Sequence, residues 1–373
     1  MTGATLRGIG WDHPRCVGPL RAADAAWTRA GHPHIEWTFR SLAEFNSAPL
    51  ASLAGDFDLL IVDHPMIAAS WQELQPVDAW LSTAAGQGDS VGRSQASYEW
   101  AGATWASALD AAVHVSAGRP DVLALIGENW PTTWSQVFEL ASRHEGLVLA
   151  SLTGDDALCT LLSVSASLGT PLSLEDPVSE EALHIVATLA GVVPRESLGY
   201  RPPQVLDMLK RGQAAFSPAL FSYATYVSAP GSKVKYDRVP SVTGKPRSGL
   251  LGGAGLAVSR HCEDTAAAGR FCTWTSTYDV QRDVLVPAGG QPSSRRIWLD
   301  PESDAVAGGF FSQTLPAMDT AVTRPKHPSW PAFQHAAASI LGRGLATRAR
   351  ERTMIQQLET ARLEAVRSLS DHH

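Results

Sequence analysis

The chain has 373 residues, 44% of them hydrophobic and 18% charged, with a formal net charge of −7. That length exceeds what one hydrophobic core fills, so two domains are expected, and the apolar content excludes a globally disordered chain. No run of Lys or Arg is long enough to build a phosphate-binding face, which argues against a nucleic-acid partner. No apolar run reaches the roughly 18 residues of a membrane span, so membrane insertion is not expected.

The first third alternates short apolar runs with helical patterns. Leu6–Trp11 reads as a strand that breaks at Asp12-His13-Pro14, and Pro19 onward reads as a helix with Leu20, Ala23, Trp27 and Ala30 at helical spacing. His34–Phe39 gives a second strand, and Ser41 then caps a helix bearing Leu42 and Phe45. Phe57–Val62 is a continuous apolar run, the pattern of a parallel strand covered on both faces, and it stops at Asp63-His64-Pro65. This β-α-β-α-β order predicts an α/β fold with a doubly wound parallel sheet, whose ligands bind beyond the carboxyl ends of the strands. Both Asp-His breaks fall there.

Beyond Ala111 the pattern predicts a second α/β region. Asp121–Leu125, Gly146–Leu149 and Ala214–Phe216 read as short strands, and Glu181–Ala190 and Pro203–Arg211 as helices. Residues 230–255, rich in Gly, Pro and Ser and carrying Lys233, Lys235, Arg238, Lys245 and Arg247, read as a loop. Helix returns after Glu263, with Ala267, Phe271 and Trp274 on one face. A last patterned helix spans Arg348–Ser370.

The cysteines, Cys16, Cys159, Cys262 and Cys272, form no CxxC pair and match neither a zinc module nor a disulfide framework; a Cys262–Cys272 bridge is the one alternative to four free thiols. Neither a metal nor a cofactor is expected: His32 and His34 flank a proline, His372 and His373 end a tail, and GxSxG, GxGxxG and GxxxxGK[ST] are all missing. The first ten residues lack the charged and apolar segments of a signal peptide, which fits either a cytoplasmic protein or one whose export signal has been removed.

The succession GIGWDHPR, FDLLIVDHP, YEWAGATWASALDAA, then LLGGAGLAVSRHCEDTAAAGRFCTWTST, VLVPAGGQPSSRRIW and FFSQTLPAMDTAVTRPKHPSWPAFQ resembles the family 1 extracellular solute-binding proteins of carbohydrate-type ABC importers. The resemblance runs from about Leu6 to Leu345 and lies in the order and spacing of the segments. It implies a type II periplasmic-binding-protein fold, two discontinuous α/β lobes around a cleft that traps ligand. One lobe would comprise residues 1–110 and 250–313, the other 111–249 and 314–373, with crossings near Asp110, Gly252 and Thr314. It further implies an ABC permease as partner and a periplasmic or extracellular location.

Sugar recognition needs aromatic faces against C–H surfaces and planar polar groups on hydroxyls, and the chain carries 12 Trp against 6 Tyr. The candidate ligand residues are Trp11, Asp12, His13 and Arg15 after the first strand, Arg40 after the second, and Asp63 and His64 after the third. Asp110 joins them because a charge in the apolar stretch Trp105–Val115 must be paired or face a cleft. The resemblance adds Tyr223 and Tyr226 on the wall of the second lobe, beside Ser222. Gly253 could let backbone approach ligand or only permit a turn, and Arg295 with Arg296 could serve an anion or be solvated. Each of the others has a plain structural reading beside the functional one: core Trp, turn-shaping His13, solvated Arg15, surface-paired Arg40, helix-capping Asp63. The leading expectation is a protein that binds a small polar solute, a carbohydrate or related molecule. The alternative is a cytoplasmic isomerase or lyase on the same scaffold, with Asp12, His13, Asp63 and His64 carrying acid–base chemistry.

Overall fold

The computed structural model describes residues 5–47, 49–81, 89–170, 173–242, 244 and 249–370. The chain divides into two compact units. The first comprises Met1–Ala112, Tyr223–Ser228 and Gly252–Ser312, and the second Val113–Ser222, Ala229–Leu251 and Gln313–His373. Apart from the two-residue strands Glu99–Trp100 and Ala103–Thr104, which pair with each other, the strands in chain order are β1 (Leu6–Trp11), β2 (Ile35–Arg40), β3 (Leu59–Val62), β4 (Ser107–Gly118), β5 (Phe216–Phe221), β6 (Lys235–Arg238) and β7 (Leu251–Val258).

In the first unit β1 lies between β2 and β3 and is parallel to both, as the β-α-β-α-β pattern predicts. β7 follows antiparallel to β3, with Val62 opposite Gly255, and the first half of β4 comes next. All four β3 residues are buried because both faces are covered. Leu59 and Ile61 join Leu20, Trp27 and Phe271 on one face, while Leu60 and Val62 join Ile9, Leu50 and Ile67 on the other. The Ser41–Glu44 pair is a capping box, Ser41 Oγ accepting from Glu44 N at 3.3 Å and Glu44 Oε2 accepting from Ser41 N at 2.8 Å.

The first helix differs from expectation. It starts at Pro14, not Pro19, because His13 caps it and proline at the first position gives up no hydrogen bond. Pro19 lies inside it, where the chain packs tightly: a Cβ on Gly18 would come within 2.5 Å of the Ala288 carbonyl oxygen.

The second unit holds the rest of β4, with β5 and β6 antiparallel to it. Its core surrounds the helix Gly154–Leu168, packed by Glu180–Val192, Trp330–Thr347 and Glu351–Ser370. Three strand expectations fail there. Asp121–Leu125 belongs to a helix, Pro120–Leu125, again started by a proline and fixed by the Arg119–Asp121 pair at 2.8 Å. Gly146–Leu149 contributes only the bridge between Val148 and Phe216. Phe216 opens β5 instead of closing a strand. The segment expected as loop contains β6 and the start of β7; Lys245 and Arg247 lie outside the described residues. The terminal helix runs Glu351–Ser370, starting after Arg348, which adopts a left-handed conformation. All four cysteines are free and buried, and burial pushes the Cys272 thiol up to about 12. Among the described residues no helix is long and apolar enough to cross a membrane.

Candidate functional site

The strand order of the first unit reverses at β1, and in such sheets ligands sit beyond the carboxyl ends at that point. Trp11 ends β1 and Val62 ends β3, so the two Asp-His sequences emerge there together.

His13 is extended, with φ −154° and ψ 145°, and its Nδ1 accepts the backbone N–H of Arg15 at 3.1 Å. That bond places the ring proton on Nε2 by inference from acceptor geometry. Burial, followed by the nearby Arg15 charge, lowers the His13 pKa to about 4, so the ring is neutral near pH 7. Its edge meets Tyr223 at 4.8 Å between centroids, and its face lies along Tyr226 at 6.2 Å.

Arg15 comes one residue after Pro14 and points inward. Its Nε donates to Asp110 Oδ2 at 2.9 Å and its Nη2 to Asp110 Oδ1. Arg15 is 5% exposed and Asp110 7%. Burial opposes the guanidinium charge, but Asp110 more than offsets it and the pKa rises above its ordinary value. The guanidinium also lies over the Tyr223 ring, 4.7 Å from its centroid. The solvated reading of Arg15 is therefore wrong, and Asp110 is paired, as a charge in that apolar stretch had to be.

Tyr223 and Tyr226 cluster with the first unit, not the second as the resemblance implied. Gln291 explains the placement. Its side chain accepts from Ala224 N at 2.7 Å and donates to Ala111 O at 2.9 Å, tying the 223–228 segment to β4. Sequence reasoning missed Gln291; the preceding Gly289-Gly290 marked a turn, but nothing marked the buried amide that follows it. Beneath the ion pair lies a cavity of about 20 Å³ bordered by Trp11, Arg15, Asp110 and Gln291, room for a water and not for a sugar.

Several expected ligand contacts are instead part of the framework. Trp11 is 4% exposed, packed on Phe45 at 4.9 Å, and offers no ring face. Tyr223, 4% exposed, supports Arg15 and His13. His64 is 1% exposed, its Nδ1 3.4 Å from Asp63 Oδ1 and its ring edge-on to Tyr98. Asp63, also buried, stands at the N-cap position of a 3-10 turn without capping it through its side chain. Gly253 lies within β7 at φ +127°, not in a turn, and a Cβ there would come within 2.2 Å of the Asp110 carbonyl oxygen, so the close approach it permits is to β4.

Arg40 lies half-buried over Phe45 at 5.6 Å and donates to Glu44 O at 3.2 Å, and burial lowers its pKa despite Glu44. Arg295 opens the short helix Arg295–Trp298, its backbone N–H directed at Asp89 O. Arg296 pairs with Asp89 Oδ2 at 2.9 Å and covers Tyr278, so it is engaged and not a free anion ligand. Asp12 remains exposed, its backbone N–H on Arg40 O at 2.7 Å and its carboxylate uncommitted among the described residues. The surface at the end of β1 thus presents the Asp12 carboxylate, the His13 ring and the half-buried Tyr226. Among the described residues no group of three or more His, Cys, Asp or Glu side chains could hold a metal ion.

No protein-family model matches the sequence. The fold does have solved counterparts. The chain is similar to a maltose-bound T. maritima MalE3, with a TM-score of 0.84 at 18% identity, over 96% of this chain and 99% of that one. A solute-binding protein of an ABC transporter from Agrobacterium radiobacter K84, solved with ribitol, gives 0.80 at 19% identity, over 97% and 98%. The Thermus thermophilus maltotriose-binding protein, with maltotriose bound, gives 0.76 at 17% identity, over 97% and 100%. The chain therefore has the type II periplasmic-binding-protein fold that the sequence resemblance implied.

Proposed function

We propose that this chain is a solute-binding protein that takes up a small, neutral, hydroxyl-rich molecule, a carbohydrate or polyol, at the carboxyl ends of β1 and β3 of its first unit. The observation that carries this reading is the Asp12–His13–Tyr226 surface set over a neutralised ion pair. Asp110 cancels the Arg15 charge and His13 is uncharged, so the surface offers hydrogen bonds and an aromatic ring without net attraction for an anion. A carboxylate acceptor beside an imidazole donor suits a hydroxyl, which both donates and accepts. The same chemistry weighs against acid–base catalysis: a base with a pKa near 4 and one nitrogen committed to a helix cap is poorly matched to proton transfer at neutral pH. The maltose, ribitol and maltotriose seen in proteins of this fold support the ligand class.

Delivery to an ABC permease, outside the cytoplasmic membrane, is the physiological role this reading assigns. Titration calorimetry with maltose and ribitol tests the binding. Saturable heat with the sugar recovered unchanged supports it, and chemical conversion of the sugar would replace it with the enzyme reading.

A further inference from the structure

Beneath the Arg15–Asp110 pair the first unit holds a cavity of about 20 Å³, its apolar wall including Leu20 and Ile61 and its polar border Trp11, Asp110 and Gln291. Two of those polar groups have capacity left. Trp11 is 4% exposed, and its indole Nε1–H is buried and donates to no described residue. Buried tryptophans ordinarily find an acceptor for that proton, and leaving it without one costs more than ordering a single water molecule. Asp110, 7% exposed, accepts one bond on each carboxylate oxygen, both from Arg15. A carboxylate has about four lone-pair positions, so an unused acceptor and an orphaned donor border the same space.

The size of the space and its two open groups decide the occupant. By the same measure a water needs roughly 10–15 Å³ and about two to four polar partners, so the cavity takes one water and nothing larger. A cation would meet the Arg15 guanidinium and the indole N–H; an anion would meet the Asp110 carboxylate. A neutral water accepts from Trp11 and donates to Asp110, and the Gln291 amide gives it a third polar neighbour. We propose that this cavity is a structural water site, in which one buried water joins the Trp11 indole at the end of β1 to the Asp110 carboxylate on β4. The apolar wall shields that water from bulk solvent and makes it long-lived. Trp11 directly precedes Asp12, so the bridge fastens the strand end from which the candidate ligand surface emerges. The site stands on its own residues, whether or not a sugar binds at that surface.

Water-to-protein NOE spectroscopy of the nitrogen-15-labelled full chain tests the site, with the Trp11 Nε1–H signal identified as the one missing from Trp11→Phe. A buried water should give that proton a cross-peak of the sign that a tightly held molecule produces. Oxygen-17 relaxation dispersion should count one long-lived water fewer in Ala254→Val, whose larger side chain takes up the space that Ala254 borders, with circular dichroism confirming the fold. The Trp11 cross-peak should be lost in the same variant. A wild type without the cross-peak overturns the proposal, and uptake of xenon-129 would then mark the cavity as dry. A cross-peak that persists unchanged in folded Ala254→Val places the water elsewhere and overturns it as well; if that variant does not fold, the wild-type cross-peak decides. None of these results bears on the proposed function, which sugar calorimetry decides separately.

Discussion

Arg15 and Asp110 form a buried, two-pronged ion pair in the first unit, joining the start of the helix Pro14–Arg29 to the strand β4. Neither charge is solvated, so the pair is worth little net, but each partner depends on the other. Asp110→Ala is expected to destabilise the protein by about 3–5 kcal/mol, because it strands a buried guanidinium. The double change Arg15→Met with Asp110→Leu should restore much of that loss. Urea unfolding of Asp110→Ala, Arg15→Met, Asp110→Leu and the double variant checks both statements, and full additivity of the Arg15→Met and Asp110→Leu costs would refute the pairing.

His13 makes stability pH-dependent in a definite direction. Its pKa falls from about 6.5 unfolded to about 4 folded, so the unfolded chain binds more protons between those values. Its contribution is present above pH 6.5 and is lost as pH falls through about 4. The shift corresponds to at most about 3 kcal/mol, less because the ring is only half-buried. Asp156, whose pKa burial raises to about 6, acts with the opposite sign over part of this range, so the test is a difference. Wild type minus His13→Asn, which keeps a capping side chain, should lose stability on going from pH 6.5 to 4. A flat difference would mean that the ring titrates normally.

Gly253→Ala should cost about 1–3 kcal/mol, since φ +127° disfavours any side chain and the Asp110 carbonyl occupies the space a methyl would need. The thermal midpoint should fall, with binding affinity nearly unchanged in the folded fraction. A large affinity loss without a stability loss would instead return Gly253 to the ligand surface.

Much of the first unit was legible because its signals are local and redundant. The β3 run is apolar on both faces, Ser41 and Glu44 sit at capping spacing, and the Asp-His breaks end strands where they should. The prolines misled where their role depended on context: Pro14 starts a helix expected only from Pro19, and Pro120 starts one where Asp121–Leu125 reads as a strand. Gly146–Leu149 reads as strand by composition but contributes only the bridge from Val148 to Phe216. The site was found in position and only partly in role. Charge alone could not separate Arg15, committed to a partner 95 residues away, from Asp12, committed to none. Gln291 was invisible because a lone buried amide has no periodicity, and its partners, Ala111 and Ala224, are backbone atoms.

The central claim is that the end of β1 binds a neutral hydroxyl-rich solute. Calorimetric titration of the wild type and of Asp12→Ala with maltose, ribitol and glycerol 3-phosphate tests it most directly. The account predicts saturable heat with maltose or ribitol, at roughly micromolar affinity or about −8 kcal/mol, weakened about tenfold or more by Asp12→Ala. It predicts no preference for glycerol 3-phosphate. Heat from the phosphate ester alone, or sugar binding indifferent to Asp12→Ala, would contradict it.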